Sequence, residues 1–273
     1  MMACHALSPV EQLAQTSLRM DLVLGWGIEP GMRVLEIGCG QGDITAVLAE
    51  AVGATGRVVA VDAAAQDYGA PLTLGESAKH LHCGELGRRV SFHFGIDVLN
   101  PAVDFADDEF DVVVLALCTW YFDSLRQIED VLERVKPWAP RLLLAEWDLH
   151  PTSIDQLGHF MSVLIQGQVA AHGGNRGGNV RTLYSKEQLS EALLRAGWMT
   201  DSMRNVDTHG LADAQWEIDA CLHQSVDPGA TDSQRMLLAT QLDVLRRLDV
   251  GACLPVFSLS ARRCPSGASN TRP

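Results

Sequence analysis

A short apolar strand that runs into three alternate glycines and then into a helix leaves a chain few folds to choose from. Residues 33–43 read Arg-Val-Leu-Glu-Ile-Gly-Cys-Gly-Gln-Gly-Asp. Val34, Leu35 and Ile37 form the strand, and Gly38, Gly40 and Gly42 form the turn. Ile44, Val47, Leu48 and Ala51 then recur at helical spacing. Glycines at such a turn admit positive φ and let the backbone approach a ligand closely. A turn of this kind at the mouth of a βαβ unit binds a nucleotide at the C-terminal edge of a parallel sheet.

The glycine spacing separates two cofactor classes. A dinucleotide site reads Gly-x-Gly-x-x-Gly/Ala. Counted from Gly38, the last of those places is Asp43, and the third glycine arrives one residue early, at Gly42. Glu36 adds a carboxylate where an anionic pyrophosphate would sit, and like charges repel in a low-dielectric cleft. A cofactor bearing a sulfonium and an ammonium suits that turn better than NAD or FAD. Glu36-x-Gly38-x-Gly40-x-Gly42 resembles the first motif of class I S-adenosylmethionine-dependent methyltransferases, and the resemblance extends over residues 18–147. It implies an α/β fold, a doubly wound, mostly parallel seven-stranded sheet with helices on both faces plus helical lid and cap insertions. It also implies S-adenosyl-L-methionine as cofactor, in contact with Glu36, Gly38, Cys39 and Gly40.

Later strand ends supply further groups. Gly56–Asp62 reads as a second buried strand, and Asp62 lies 20 residues past Gly42, where nucleotide folds place an acceptor for ribose hydroxyls. An ionised carboxylate only accepts, which suits two O–H donors. By resemblance Asp62 takes that role, with Ala63 beside it; a turn-capping aspartate is the alternative. Val90–Phe94 is the third strand, and the resemblance sets Ile96 and Asp97 against the adenine. Phe110–Leu117 is a continuous apolar run typical of a strand buried on both faces. It ends at Cys118-Thr119-Trp120-Tyr121-Phe122, which in similar enzymes lies beside the transferring methyl group, with Cys118 counted among the cofactor contacts. Arg141–Ala145 is the fifth strand, followed by Glu146-Trp147-Asp148.

The rest of the chain reads as cover. Ser8-Pro9 opens a helix ending near Gly25, and residues 1–30 form an N-terminal cover over a cofactor-binding core at 31–149. A lid follows at 150–180, with a helix from Ile154 to Ala171 and a glycine-rich loop at 172–179 that either gates the site or merely links. Residues 181–264 complete the core through a helix at Lys186–Ala196, a strand near Thr200–Val206 and a strand at Val256–Ala261. The helical insertion at 211–250 is a cap or an oligomer surface, so a homodimer stays open, and 265–273 is a frayed tail.

Chemistry at the methyl group needs an aligned nucleophile and, for some acceptors, a base. Tyr121, Asp148 and His159 are the catalytic candidates. Each has a bland alternative: a pocket wall, a turn cap and a core histidine. Trp120, Trp147, His150, Phe160 and His172 are the candidate substrate contacts. Their apolar character points to a small aromatic or lipophilic specialised metabolite, such as an indole alkaloid, a polyketide or a modified peptide. A cyclase that retains the cofactor, or a non-catalytic partner subunit, would share the same turn.

Charge and composition narrow the partners. A net charge of −13 opposes a phosphate backbone, so nucleic acid is not expected. The apolar runs are of strand length, so no membrane span is expected. Seven cysteines, an odd number without Cys-x-x-Cys, suit a reducing cytoplasm, and the N-terminus lacks the pattern of a signal peptide. His80-x-His82-Cys83 lacks ligand spacing, so no metal is expected.

Overall fold

The computed structural model describes residues 8–173, 178–223, 229–249 and 251–264. The expected tail at 265–273 and the centre of the glycine-rich loop, 174–177, lie outside them. The seven strands are β1 (Arg33–Ile37), β2 (Arg57–Asp62), β3 (Val90–Phe94), β4 (Val112–Ala116), β5 (Arg141–Trp147), β6 (Trp198–Val206) and β7 (Val256–Arg263). They form one sheet in the order β3-β2-β1-β4-β5-β7-β6. The first five pair in parallel, and β7 runs antiparallel between β5 and β6. The order reverses beside β1, whose neighbours are β2 and β4, and this is the switch point where open α/β sheets bind ligands. The architecture is the one expected from the sequence.

The helices are α1 (Pro9–Gly25), α2 (Asp43–Ala51), α3 (Leu74–His82), α4 (Leu125–Val135), α5 (Leu157–Ala171), α6 (Lys186–Arg195), α7 (Asp213–Leu222) and α8 (Asp232–Leu245). Two apolar layers result. One packs Leu35, Leu115, Leu142 and Leu144 against Ile128, Val131 and Leu132 of α4 and Leu189 and Leu193 of α6. The other packs Val34, Val58, Val112 and Leu143 against Leu18 and Leu22 of α1 and Val47 and Leu48 of α2. A third cluster joins α5, α7 and α8 through Ile165, Ile218, Leu238 and Leu242. The insertion is therefore helical and packs on α5. Helix α4 is absent from the sequence reading, although Ile128, Val131, Leu132 and Val135 bury one face and Ser124 caps its start. No described helix is long and apolar enough to cross a membrane.

Candidate active site

The geometry of the turn follows from its glycines. Gly38, Gly40 and Gly42 have φ of 73°, 51° and 88°. A side chain at Gly38 would put its Cβ 2.7 Å from that of Cys118, whereas one at Gly40 would meet no atom within 4 Å and would project into open space. The first glycine thus allows β1 to close on the end of β4, and the second leaves a cradle. The Gly40 N–H donates to Asp62 Oδ2 and the Ala64 N–H donates to Asp62 Oδ1, each at 2.8 Å. Two backbone donors thereby fix the Asp62 carboxylate, and each oxygen keeps a lone pair for a ribose hydroxyl.

A cavity of about 1040 Å³ opens over this turn. It is lined by Glu36, Gly38, Cys39, Gly40, Asp62, Ala63, Ile96, Asp97 and Cys118, so the structure brings every expected cofactor contact to one place. Glu36 is 2% exposed, and its Oε2 has no hydrogen-bond partner. Burial, reinforced by the Asp62 and Asp43 carboxylates, pushes its pKa up to about 8. A buried carboxyl group with one oxygen unpartnered is the complement of a cationic ligand. Asp97 turns one oxygen back to the Leu99 N–H at 2.9 Å and stays exposed to the cavity. Burial raises the pKa of the Cys39 and Cys118 thiols far above the ordinary range, so neither presents a thiolate to an electrophile.

The cavity also recruits residues that lie outside the motif. Arg19 reaches in from α1, donating from Nη1 to the Gln15 carbonyl at 2.9 Å, with Nη2 3.8 Å from Asp43. Its buried Nε has no partner. That guanidinium would hold the carboxylate of an amino-acid tail, while Glu36 answers its positive charges, so the residues present fit S-adenosylmethionine. The sequence carried a signal for Arg19: it is a cation on the helix face that also buries Leu18 and Leu22. Leu117, at the end of β4, has φ of 53°, an uncommon conformation for a branched residue, and it lines the cavity. Tyr68, Phe122, Asn179 and Arg181 line its outer part.

The expected acceptor contacts divide. Tyr121 lines the cavity and is half-exposed to it. Burial, then the nearby Glu217 and Glu146 carboxylates, raises its pKa, so its phenol stays protonated and donates. Asp148 and His159 stand outside the cavity. Asp148 is buried and accepts from Lys186 Nζ at 2.7 Å and His150 Nδ1 at 2.8 Å. Burial alone would raise its pKa, but Lys186 and His150 hold it low. His159 Nδ1 accepts the Leu254 N–H at 3.0 Å, and burial brings its pKa down to about 4, so the ring is a neutral peg between α5 and the segment that leads into β7.

Trp147 packs edge-on against His159, and Phe160 packs on the core. Trp120 is buried, and its carbonyl accepts the Arg181 N–H at 2.8 Å. His150 is spent on Asp148, and His172 borders a separate hollow of about 120 Å³ between α5 and α8. The physical reason lies in β7: it pairs along β5 as far as Trp147, and the Asp148 N–H donates to the Pro255 carbonyl at 2.7 Å. That pairing occupies the β5 end and leaves the β4 end, Ala116 to Cys118 with Tyr121 and Phe122, to line the cavity. Among the described residues, no three His, Cys, Asp or Glu side chains cluster as a metal site would.

Known proteins resemble this chain. Residues 9–81 match the family described as protein-L-isoaspartate(D-aspartate) O-methyltransferase. Methyltransferase phomM' of Diaporthe leptostromiformis is 27% identical over 206 residues, 61% of this chain and 53% of that protein. The chloroplastic 2-phytyl-1,4-beta-naphthoquinone methyltransferase of Arabidopsis thaliana is 27% identical over 135 residues, 48% of each. The chain spans about half the length of these curated relatives. A crystal structure of a cyclopropane-fatty-acyl-phospholipid synthase-like protein from Lactobacillus casei is 33% identical and superposes with a TM-score of 0.81, over 93% of this chain and 92% of that one. Identity at that level across nearly both whole chains, with the glycine turn and Asp62 set as described, places this chain in the class I S-adenosylmethionine-dependent methyltransferases.

Proposed function

We propose that the protein transfers a methyl group from S-adenosylmethionine to a nitrogen, oxygen or carbon atom of a small specialised metabolite with an aromatic portion. The supporting observation is the two-part cavity. One part of its lining is the acidic cofactor turn, and another is Tyr121 and Phe122 after β4 together with Tyr68 from the segment after β2. The more lipophilic acceptor expected from the sequence rested on Trp120, Trp147 and Phe160, none of which lines that cavity. The aromatic reading rests on the tyrosine and phenylalanine wall.

When bound, the cofactor supplies an electrophilic methyl group on a sulfonium centre. The chain's residues bind and orient. Asp62 accepts from the ribose, Asp97 takes the adenine amino group, Glu36 offsets positive charge, and Arg19 holds the carboxylate. Tyr121 stays a phenol, so its part is to donate to the acceptor and align it rather than to remove a proton. Asp148 and His159 do not line the cavity and are each committed to a structural bond, so on this reading they take no part in the step.

The test is product mass. Purified protein is incubated with S-adenosylmethionine and a panel of phenols, indoles and aromatic amines. Products heavier by one methylene unit, together with S-adenosylhomocysteine, are expected. Calorimetry showing that S-adenosylhomocysteine does not bind would overturn the reading, and turnover without any gain in mass would favour a cyclase.

A further inference from the structure

We infer that the methyl acceptor carries an anionic oxyacid group, a carboxylate or a phosphate, which Arg181 holds at the β4 end of the cavity. The inference rests on the methyl-transfer reading above and names its substrate class.

The setting makes Arg181 conspicuous. Glu36, Asp43, Asp62, Asp97 and Asp123 all line this cavity, in a chain of net charge −13. Arg19 and Arg181 are the cationic side chains among its described lining residues. Arg19 is accounted for by Gln15, Asp43 and the cofactor. Among the described residues Arg181 has no carboxylate within ion-pair distance, and its side chain hydrogen-bonds to them only through Nε, to the Gly178 carbonyl at 3.4 Å. The terminal nitrogens of the guanidinium are left for a ligand. Surface arginines here follow the other habit: Arg33, Arg126 and Arg235 each sit within 2.8 Å of a carboxylate.

The position of Arg181 is fixed by its backbone. The N–H groups of Arg181 and Thr182 both donate to the Trp120 carbonyl, at 2.8 and 3.2 Å. Trp120 belongs to the 3-10 turn Thr119–Tyr121, which is itself pinned: Glu146 accepts from the Thr119 N–H at 2.8 Å and from its hydroxyl at 2.6 Å. The guanidinium therefore springs from a rigid base next to Tyr121, whose protonated phenol is a second donor for an anion.

The nearby carboxylates do not compete for Arg181. Glu217 accepts from Gln166 Nε2 at 2.7 Å and from Asn179 Nδ2 at 3.2 Å, one bond to each oxygen. Asp123 lies exposed at the rim. A guanidinium presents paired N–H donors that match a carboxylate or phosphate bidentately, and such charge-assisted bonds are about twice as strong as neutral ones. The surrounding acids refuse anions elsewhere in the cavity, so the charge on the acceptor also sets which end enters first.

The experiment uses the full chain saturated with S-adenosylhomocysteine. Calorimetry compares para-hydroxybenzoate, phenyl phosphate and indole acetate with their neutral counterparts, para-hydroxybenzamide, phenol and indole acetamide. At least one anionic member should bind about tenfold or more tightly than its neutral partner. The acid and phosphate arms show which anion is taken. Arg181→Gln should erase the preference while leaving affinity for S-adenosylhomocysteine unchanged, and Arg181→Lys should retain part of it. If no anionic member is preferred, or if Arg181→Gln keeps the preference, the inference is wrong. Failure of S-adenosylhomocysteine itself to bind the wild-type protein would instead strike the methyl-transfer reading.

Discussion

At the scale of single residues, Glu36 couples cofactor, proton and stability. Its carboxyl titrates near pH 8 in the folded chain, against an ordinary value of 4.5. Between those values the folded state holds a proton that the unfolded state has lost. The Glu36 contribution to stability is therefore present at low pH and falls as pH rises from about 4.5 to 8, by about 1.4 kcal/mol per pH unit. Denaturant unfolding of the ligand-free protein should show that decline, and Glu36→Gln should flatten it. A bound cation favours the carboxylate, so cofactor binding should release a proton near pH 7. Calorimetry in buffers of different ionisation enthalpy measures this, and buffer-independent heats would contradict it. His159 acts in the opposite sense: its folded pKa near 4 makes stability fall as pH drops below about 6.5. Asp62→Ala should weaken S-adenosylhomocysteine binding by about tenfold or more while the chain stays folded, since it removes hydrogen bonds to a charged acceptor. Glu36 and Asp62 were legible in the sequence because a strand end and a glycine turn fix where they point. Arg19 and Arg181 were not assigned because they enter from a helix and a loop whose docking no local pattern specifies.

At the scale of elements, the turn between β1 and α2 tolerates little. Gly38→Ala would impose a side chain at φ of 73° and drive its Cβ to 2.7 Å from Cys118. The expected cost is about 2 kcal/mol or more from strain and overpacking, with loss of cofactor binding, read by chemical denaturation and calorimetry. Helix α1 belongs to the site as much as to the scaffold. Ser8 and Glu11 form its capping box, and Gln15 Nε2 donates to Asp213 Oδ2 of α7 at 2.5 Å, which ties the cover to the cap beside Arg19. Asp213→Ala should therefore weaken cofactor affinity several-fold although Asp213 does not line the cavity. Unchanged affinity would show that α1 holds Arg19 unaided. Strands buried on both faces announced themselves as apolar runs, which is why β1, β4 and β5 were readable, whereas the edge strand β3 showed itself by alternation, with Val90, Phe92 and Phe94 between the exposed Ser91 and His93. The helical spacing of Ile128, Val131, Leu132 and Val135 was equally present, but charged residues between them masked it. The helix expected at Ile154–Ala171 is present as α5, but its Phe160 packs on the core and does not line the cavity, because β7, remote in sequence, decides what the end of β5 faces.

At the scale of the whole molecule, a cavity of about 1040 Å³ that crosses the switch point ties together α1, the sheet and the loop after α5. A ligand bound there stabilises the folded state by mass action. S-adenosylhomocysteine at about 100 times its Kd should add roughly 2.7 kcal/mol, visible as a rise in Tm of several degrees. A cofactor-binding variant such as Asp62→Ala, weakened about tenfold, should keep only about half of that rise at the same ligand concentration. The sheet order carries a further consequence, for synthesis. Strand β7, at residues 256–263, is made after β5 and β6 yet lies between them, bonded to both. On the ribosome β5 and β6 emerge with no direct pairing to each other, each keeping an unpaired edge open to another chain until β7 is released. The nascent protein thus passes through an interval, ended when β7 emerges, in which it is more exposed to aggregation and in greater need of a chaperone.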